Sequence, residues 1–542
     1  MEKSKAFFRN FETQIGIRSK AEKRWFRTAF VLLLIYVEFI IYAQNTALGY
    51  AGSPPLNVFF AVAAIPLCFL GLLAVSRLKI SENDRCMKNR LTPRRQLLFT
   101  TGVWIFTFCI FFLCQRAYWP GAFGADNIGQ YTQMRSGVYN NWHPVLHTWL
   151  FYWIPFHIFH RTAGIVLTQI LWFSLAITYL FFVLYTSGCP KGFLVCGWLY
   201  IVANPNTLHI MMFPLKDSAL TIFSTVLFTQ LIRIYLTEGT WLKKWYNLAL
   251  FSLFAFLAEE MRHNAVLLVV PIFILLFCFF KSVRKRVIIS AALVILAYLL
   301  LHGPVFALVH VTPSLNNEVT ETVGFPMTIL SDIYVQDREA LGEEAQSFMD
   351  SYASQEAWKN YKLGNFNSIK WYGNPASCQE IGRKKILQYT MDAARKRPDL
   401  AWNAFCTLTR LVWGFDISNN DNRVDCVIAD NTYGIKYYGN EQLQIAFSTY
   451  SKYVTLSVTK YMFAYIGCVI LILLFLATGK LGNGNLIRVF PALIPMVYNF
   501  GTMLLLSGPS FRFFHFNFVI VVPLVYLMLK GKNTSASGSV PI

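Results

Sequence analysis

The sequence predicts an all-α integral membrane protein, with about 12 transmembrane helices, interfacial helices and a small, mainly helical external domain. Composition is the first observation. Of 542 residues, 55% are hydrophobic, 16% aromatic and only 14% charged, whereas about a quarter of a soluble domain is charged. The second observation is that apolar runs of about 20 residues recur along the chain, the length that crosses a bilayer as a helix. The third is the placement of charge. A net charge of +20 would suggest nucleic acid in a soluble protein. Here Lys and Arg cluster between alternate apolar runs, as cytoplasmic anchors do. The expected partner is therefore the lipid bilayer, and nucleic acid is not expected.

Residues 1–24 are polar and basic (Lys3, Lys5, Arg9, Arg18, Lys20, Lys23, Arg24) and predict a cytoplasmic tail. The span at 25–43 has no small-residue cleavage site after it, so it reads as a retained first helix. Spans at 58–75 and 99–114 follow, separated by the basic stretch RLKISENDRCMKNRLTPRRQ. The third span delivers an unusually polar loop at 116–147, RAYWPGAFGADNIGQYTQMRSGVYNNWHPVLH. Residues 144–160 are apolar and aromatic but punctuated by His147, Pro155, His157 and His160, a mixture that suits a helix lying in the interface. Further spans are expected at 164–185, 192–202, 219–235, 245–258, 265–280, 287–309, 453–476, 486–506 and 513–529. This threading sends Lys191, Lys243, Lys244, Lys281, Arg284, Lys285, Arg286, Lys480, Arg488, Lys530 and Lys532 to the cytoplasmic side. Every motif-like polar cluster falls on the opposite side, and both termini are cytoplasmic.

The chain divides accordingly. Residues 1–310 hold the N-terminal tail and a transmembrane module with its external loop 116–147. Residues 311–451 form the external helical domain, where DREALGEEAQSFMDSYASQEAWKNY and QEIGRKKILQYTMDAARKRPDLAWNAFCTLTRLVWGF show helical periodicity with charged faces. Residues 452–530 return to the membrane, and 531–542 read as a disordered cytoplasmic tail. Most of the 11 cysteines lie in apolar runs and read as small core residues. Cys378, Cys406 and Cys426 fall in the hydrophilic segment, where one disulfide is open if that side is oxidising. No GxGxxG, Walker or zinc-finger pattern stands in a supporting context, so no cytoplasmic nucleotide site is indicated.

An acidic residue shortly after a Pro-Gly pair, followed by His-Pro before an interfacial helix, resembles the GT-C class of membrane glycosyltransferases. YWPGAFGADNIGQYTQ followed by NNWHPVLHTWL is similar to a bacterial, mainly Gram-positive, multi-span family placed in that class. FPLKDS, MRHN, SFRFFHF and FPMTILSDIY fit the same pattern. The resemblance implies a GT-C-like fold, a location in the bacterial cytoplasmic membrane and an extracytoplasmic active site. It implies a transferase moving a sugar from a polyprenyl-phosphate donor to an extracytoplasmic acceptor (a cell-envelope glycan, lipid or protein), with inversion at the anomeric carbon. The acidic pair common in GT-C loops is absent, because Asn127 follows Asp126. No metal ligand set is assigned, and a divalent metal is left open.

Asp126 is the candidate catalytic base, since attack on an anomeric carbon needs the acceptor hydroxyl deprotonated. Burial in a water-poor cavity is expected to raise its pKa. The same residue would also suit a helix cap. Lys216, Arg262 and Arg512 are the candidate donor-phosphate residues. Each has a plain alternative as an interfacial ion pair, a solvated turn or a snorkelling cation. Gln130, His143, Asp217, Glu260, His263 and His515 are candidate substrate contacts. His143 and His147 are four apart, a spacing that metal ligands on a helix use, but no third ligand is evident. The competing functional reading is a multi-span transporter or flippase of envelope precursors, which would bury its charges in mid-span.

Overall fold

The computed structural model describes residues 2–17, 19–46, 54–80, 92–313, 315–415, 426–481 and 486–530. The expected disordered tail at 531–542 lies outside the described residues, as does Lys532. Among the described residues the secondary structure is helical, with only isolated β-bridges besides.

Among the described residues, six helices are long and apolar enough to cross a membrane: Lys20–Gln44, Pro93–Ala117, Thr162–Thr186, Lys216–Leu236, Lys281–Leu308 and Phe511–Leu529. Four shorter apolar helices accompany them: Val62–Arg77, Lys191–Val202, Val266–Phe279 and Ile466–Gly479. Lys216–Leu236 is the central element and is buried along nearly its whole length. It packs against Thr162–Thr186, Trp245–Glu260 and Asn517–Leu529. Its buried threonines bond within the helix: Thr221, Thr225 and Thr229 donate to the carbonyls of Asp217, Thr221 and Thr225 at 3.0, 2.6 and 2.7 Å. A threonine can enter an apolar core only on such terms. The outer helices face the other way. Leu97, Leu98 and Phe106 are exposed on Pro93–Ala117, and Ile288, Ile295 and Leu299 on Lys281–Leu308. Bands of large apolar side chains that continuous belong against lipid. The chain is a helical, membrane-embedded protein.

Several elements differ from the sequence expectation. The N-terminal tail contains a packed helix, Glu2–Gln14, with Phe11 buried and Glu12 paired to Arg27 at 2.7 Å. The run expected as one span at 453–476 is three helices, Glu441–Leu456, Lys460–Phe463 and Ile466–Gly479. The breaks fall where Ser457 and Thr459 turn their hydroxyls onto each other and onto the Val454 carbonyl. Lys191–Val202 stops after 12 residues, about 18 Å of rise. There Asn204 caps a second short helix, Pro205–Met212. Residues 145–159 form one helix with a π turn at Trp149–Trp153. At about 22 Å it is too short to cross a hydrocarbon core of about 30 Å.

The hydrophilic segment builds its own core around Met327, Leu330, Met349, Phe366 and Cys378. Its last two helices tie it to the bundle. Pro398–Trp413 packs on Gly324–Gln336 of the domain through its first half and on Ile466–Gly479 through its second, and Glu441–Leu456 packs on Pro93–Ala117. Cys378 lies in the domain core and Cys406 in the bundle core, and the disulfide left open among Cys378, Cys406 and Cys426 is not formed.

Candidate active site

The loop at 116–147 and the turn after Met211 are held by side chains from two spans. Gln115 donates to the carbonyls of Pro120 and Ala163 at 3.0 and 2.9 Å. Gln169 donates to those of Met211 and Phe213 at 2.9 and 2.7 Å, which fixes the turn leading into Lys216 and Asp217. The backbone of Ala122 joins the two loops through the Met212 carbonyl at 2.9 Å.

Helix Ala125–Ser136 starts at this junction with Gly124 as its N-cap. The capping contact comes from Asn127, whose side-chain oxygen accepts from the Gly124 amide at 3.0 Å. Asn127 is wholly buried and also donates to Tyr152 and to the Pro214 carbonyl at 2.9 and 3.1 Å. Asn127 thus anchors the helix, and Asp126 is left to face a cavity. That cavity, ≈ 360 Å³, is lined by Asp126, His209, Phe213, Phe511 and Arg512 among others.

Four charged side chains from four distant parts of the chain meet here. Arg512 donates to Asp126 at 2.9 Å and lies 3.6 Å from Asp217. Asp217 also pairs with Arg262. Both guanidinium groups pack against the Phe513 ring, at 4.2 Å for Arg262 and 5.3 Å for Arg512. Lys216 stands in the same field and makes no ion pair with a described residue. Burial alone would raise the Asp126 carboxyl, as the sequence reading expected. The Arg512 and Lys216 charges and the Arg512 hydrogen bond together outweigh burial and hold it well below the usual carboxylate range.

The remaining candidates separate. His143 lies beside Asp126, and burial pushes it down to about 3, so it is neutral at pH 7. His143 precedes Pro144, and the helix begins only at Val145. It therefore does not share a helix face with His147, as the four-residue spacing assumed. His147 bonds Gln130 at 2.8 Å, and Gln130 also donates to Thr148 at 3.0 Å. Gln130 thus braces the loop from within. His515 is wholly buried between Thr207 and Thr221 at 3.0 and 3.3 Å. Glu260 turns to His302 at 3.1 Å, and His263 sits exposed at its turn. Among the described residues, no group of three His, Cys, Asp or Glu side chains is arranged to hold a metal ion.

The structure adds Lys370, which no sequence signal marked. It comes from the hydrophilic domain, pairs with Glu321 and feels the charges of Asp126, Lys216 and Arg512. Its ammonium lies over Trp371 and Trp142, at 4.7 and 5.5 Å, and the two rings are 6.5 Å apart. The domain reaches this position through the loop that carries Arg512. The Asn367 amide donates to the Ser507 carbonyl at 2.9 Å, and the Ser507 hydroxyl donates to the Asn367 side chain at 2.8 Å.

Fold and site together define a helical membrane protein with a charged cleft at one end of its central helix. No family model, curated protein or solved structure matches the chain.

Proposed function

We propose that the chain is a GT-C-type membrane glycosyltransferase of the bacterial cytoplasmic membrane. It moves a sugar from a polyprenyl-phosphate donor to an extracytoplasmic acceptor. One observation carries this reading: the Asp126 carboxylate opens on a cavity beside Arg512, with Arg262 and Lys216 close by. The arrangement sets a base next to cations suited to a lipid phosphate. About 12 crossings remain the proposed topology, with the four shorter apolar helices, Trp245–Glu260 and Leu493–Met503 completing the count.

In the free state Arg512 keeps Asp126 ionised but makes it a weak base. A donor phosphate competes with Asp126 for Arg512. As that bond is given up, burial pushes the Asp126 carboxyl upward, so the base strengthens as the donor binds. Lys216 and Arg262 stabilise the charge developing on the departing phosphate. The hydrophilic domain, which brings Lys370 and Trp371 to the rim, presents the acceptor.

The rival reading, a carrier of envelope precursors, draws on the interrupted pair Lys191–Val202 and Pro205–Met212, because carriers build sites from broken helices. Purified protein in lipid, given a panel of radiolabelled undecaprenyl-phosphate sugars, decides between them. Sugar release that needs Asp126, with donor binding kept by Asp126→Asn, supports the transferase. Absence of binding across the panel in folded protein overturns it.

A further inference from the structure

A second cavity, ≈ 290 Å³, lies toward the other end of the central helix, between Thr162–Thr186, Lys216–Leu236 and Trp245–Glu260. Its walls are aromatic and aliphatic, including Trp172, Phe223 and Trp241, and its polar groups are Gln230, Arg233 and Asn247. It opens sideways, where Trp172, Leu175 and Leu250 are exposed on the outer surface of the bundle. We propose that this groove binds one anionic glycerophospholipid of the leaflet opposite the Asp126 cleft. The lipid phosphate sits at Arg233, a headgroup hydroxyl donates to the Gln230 side-chain carbonyl, and an acyl chain runs inward to Trp172.

Depth supports that occupant. From Lys216, at the Asp126 end, to Arg233 the central helix rises about 26 Å, and a hydrocarbon core measures about 30 Å. Arg233 therefore lies at headgroup level on the far side. On the neighbouring helix, Trp172 is about 15 Å from the start at Thr162, close to mid-bilayer. The groove thus spans the depth of one leaflet.

The groove holds a cation without a counter-charge and an unmet acceptor. Gln230 is only 2% exposed, and its side-chain carbonyl has no hydrogen-bond partner. Arg233 lies 5.9 Å over the Trp241 ring and bonds the Tyr179 hydroxyl, and it makes no ion pair with a described residue. Asn247 is committed elsewhere, donating to the Trp241 carbonyl at 2.9 Å, which fixes the wall of the groove. Lys243 and Lys244 are exposed at the rim beside Trp245 and Tyr246, and cations with aromatics at this depth favour anionic headgroups.

The test is native mass spectrometry of the full-length protein in detergent, titrated with phosphatidylglycerol, phosphatidylcholine of the same chains, or undecaprenyl phosphate. Wild type should retain one phosphatidylglycerol with at least about fivefold preference over phosphatidylcholine, the increment of one interfacial cation. Arg233→Gln should abolish that preference, Leu175→Trp should weaken both phospholipids by crowding the chain slot, and the control Lys285→Gln, an exposed lysine outside the groove lining, should change neither. Should Arg233→Gln fail to fold, Gln230→Leu replaces it with the same expectation. Equal retention of the two phospholipids, or an equal loss in Lys285→Gln, overturns the proposal. Undecaprenyl phosphate displacing phosphatidylglycerol in an Arg233-dependent way also overturns it, by assigning the groove to a prenyl chain.

Discussion

Asp126 and Asp217 share Arg512, yet replacing each with Asn should have opposite consequences. The Asp126–Arg512 pair is open to solvent, with side chains 30% and 33% exposed. Pairs of this kind contribute about 0–1 kcal/mol. Asp217 is 1% exposed, and its partner Arg262 is 11% exposed. Removing one member of a buried pair leaves an uncompensated charge and costs about 3–5 kcal/mol. Asp126→Asn should therefore melt close to wild type while its transfer rate falls by about 10²–10⁴, the usual contribution of a positioned base. Asp217→Asn should melt far lower, and its activity should be lost with its fold. The assay pairs a thermal melt in detergent with sugar release from the radiolabelled donor. If Asp126→Asn keeps most of its transfer, the base is elsewhere. If the two variants melt alike, the inside-outside distinction drawn between the two carboxylates is wrong.

Arg512→Gln removes the main cation holding Asp126 down, so the acid limb of the kcat/KM profile should move to higher pH. A limb left in place would separate Arg512 from the base. Asp332 in the hydrophilic domain behaves in the reverse sense. Burial outweighs its bonds from Tyr361 and Gly364 and raises its carboxyl from 3.8 to about 6. The unfolded chain then ionises first, so stability falls as pH rises from about 4 to 6, by about 3 kcal/mol in all. Asp332→Asn should lack that decline in a pH series of melts. Gly324→Ala sets a Cβ 2.8 Å from the Ser507 Cα and 3.1 Å from its nitrogen, backbone atoms that no rotamer change can move aside. The domain should lift from the Arg512 loop, lowering activity with helix content by circular dichroism unchanged.

Much of the fold was legible because burial in lipid demands long apolar runs, and Pro93–Ala117 or Thr162–Thr186 can hardly be read otherwise. The run at 453–476 misleads because its apolar composition continues straight through the turn at Ser457. Single-residue hydroxyl contacts decided that break, and composition does not register them. Asp126, Asp217, Arg262 and Arg512 each stood out as polar groups beside apolar runs. Their convergence was not legible, since Arg512 and Asp126 are 386 positions apart and only tertiary packing unites them. That Asn127 rather than Asp126 makes the capping contact was not legible, because the buried bonds of Asn127 to Tyr152 and Pro214 are encoded by no local pattern. Lys370 was invisible for a similar reason: a lysine in a charged domain looks solvated until the domain docks.

The edge-to-face pair Trp142 and Trp371 lies across the seam between the loop and the hydrophilic domain, with the Lys370 ammonium over both rings. Indole emission shifts with the local electric field and with the polarity around the ring, so the molecule carries an unlabelled optical gauge of that seam. Difference spectra between wild type and a Trp371→Phe variant would isolate its signal from the other indoles. A stopped-flow trace of that signal would time the opening of the seam against the chemistry, turnover by turnover.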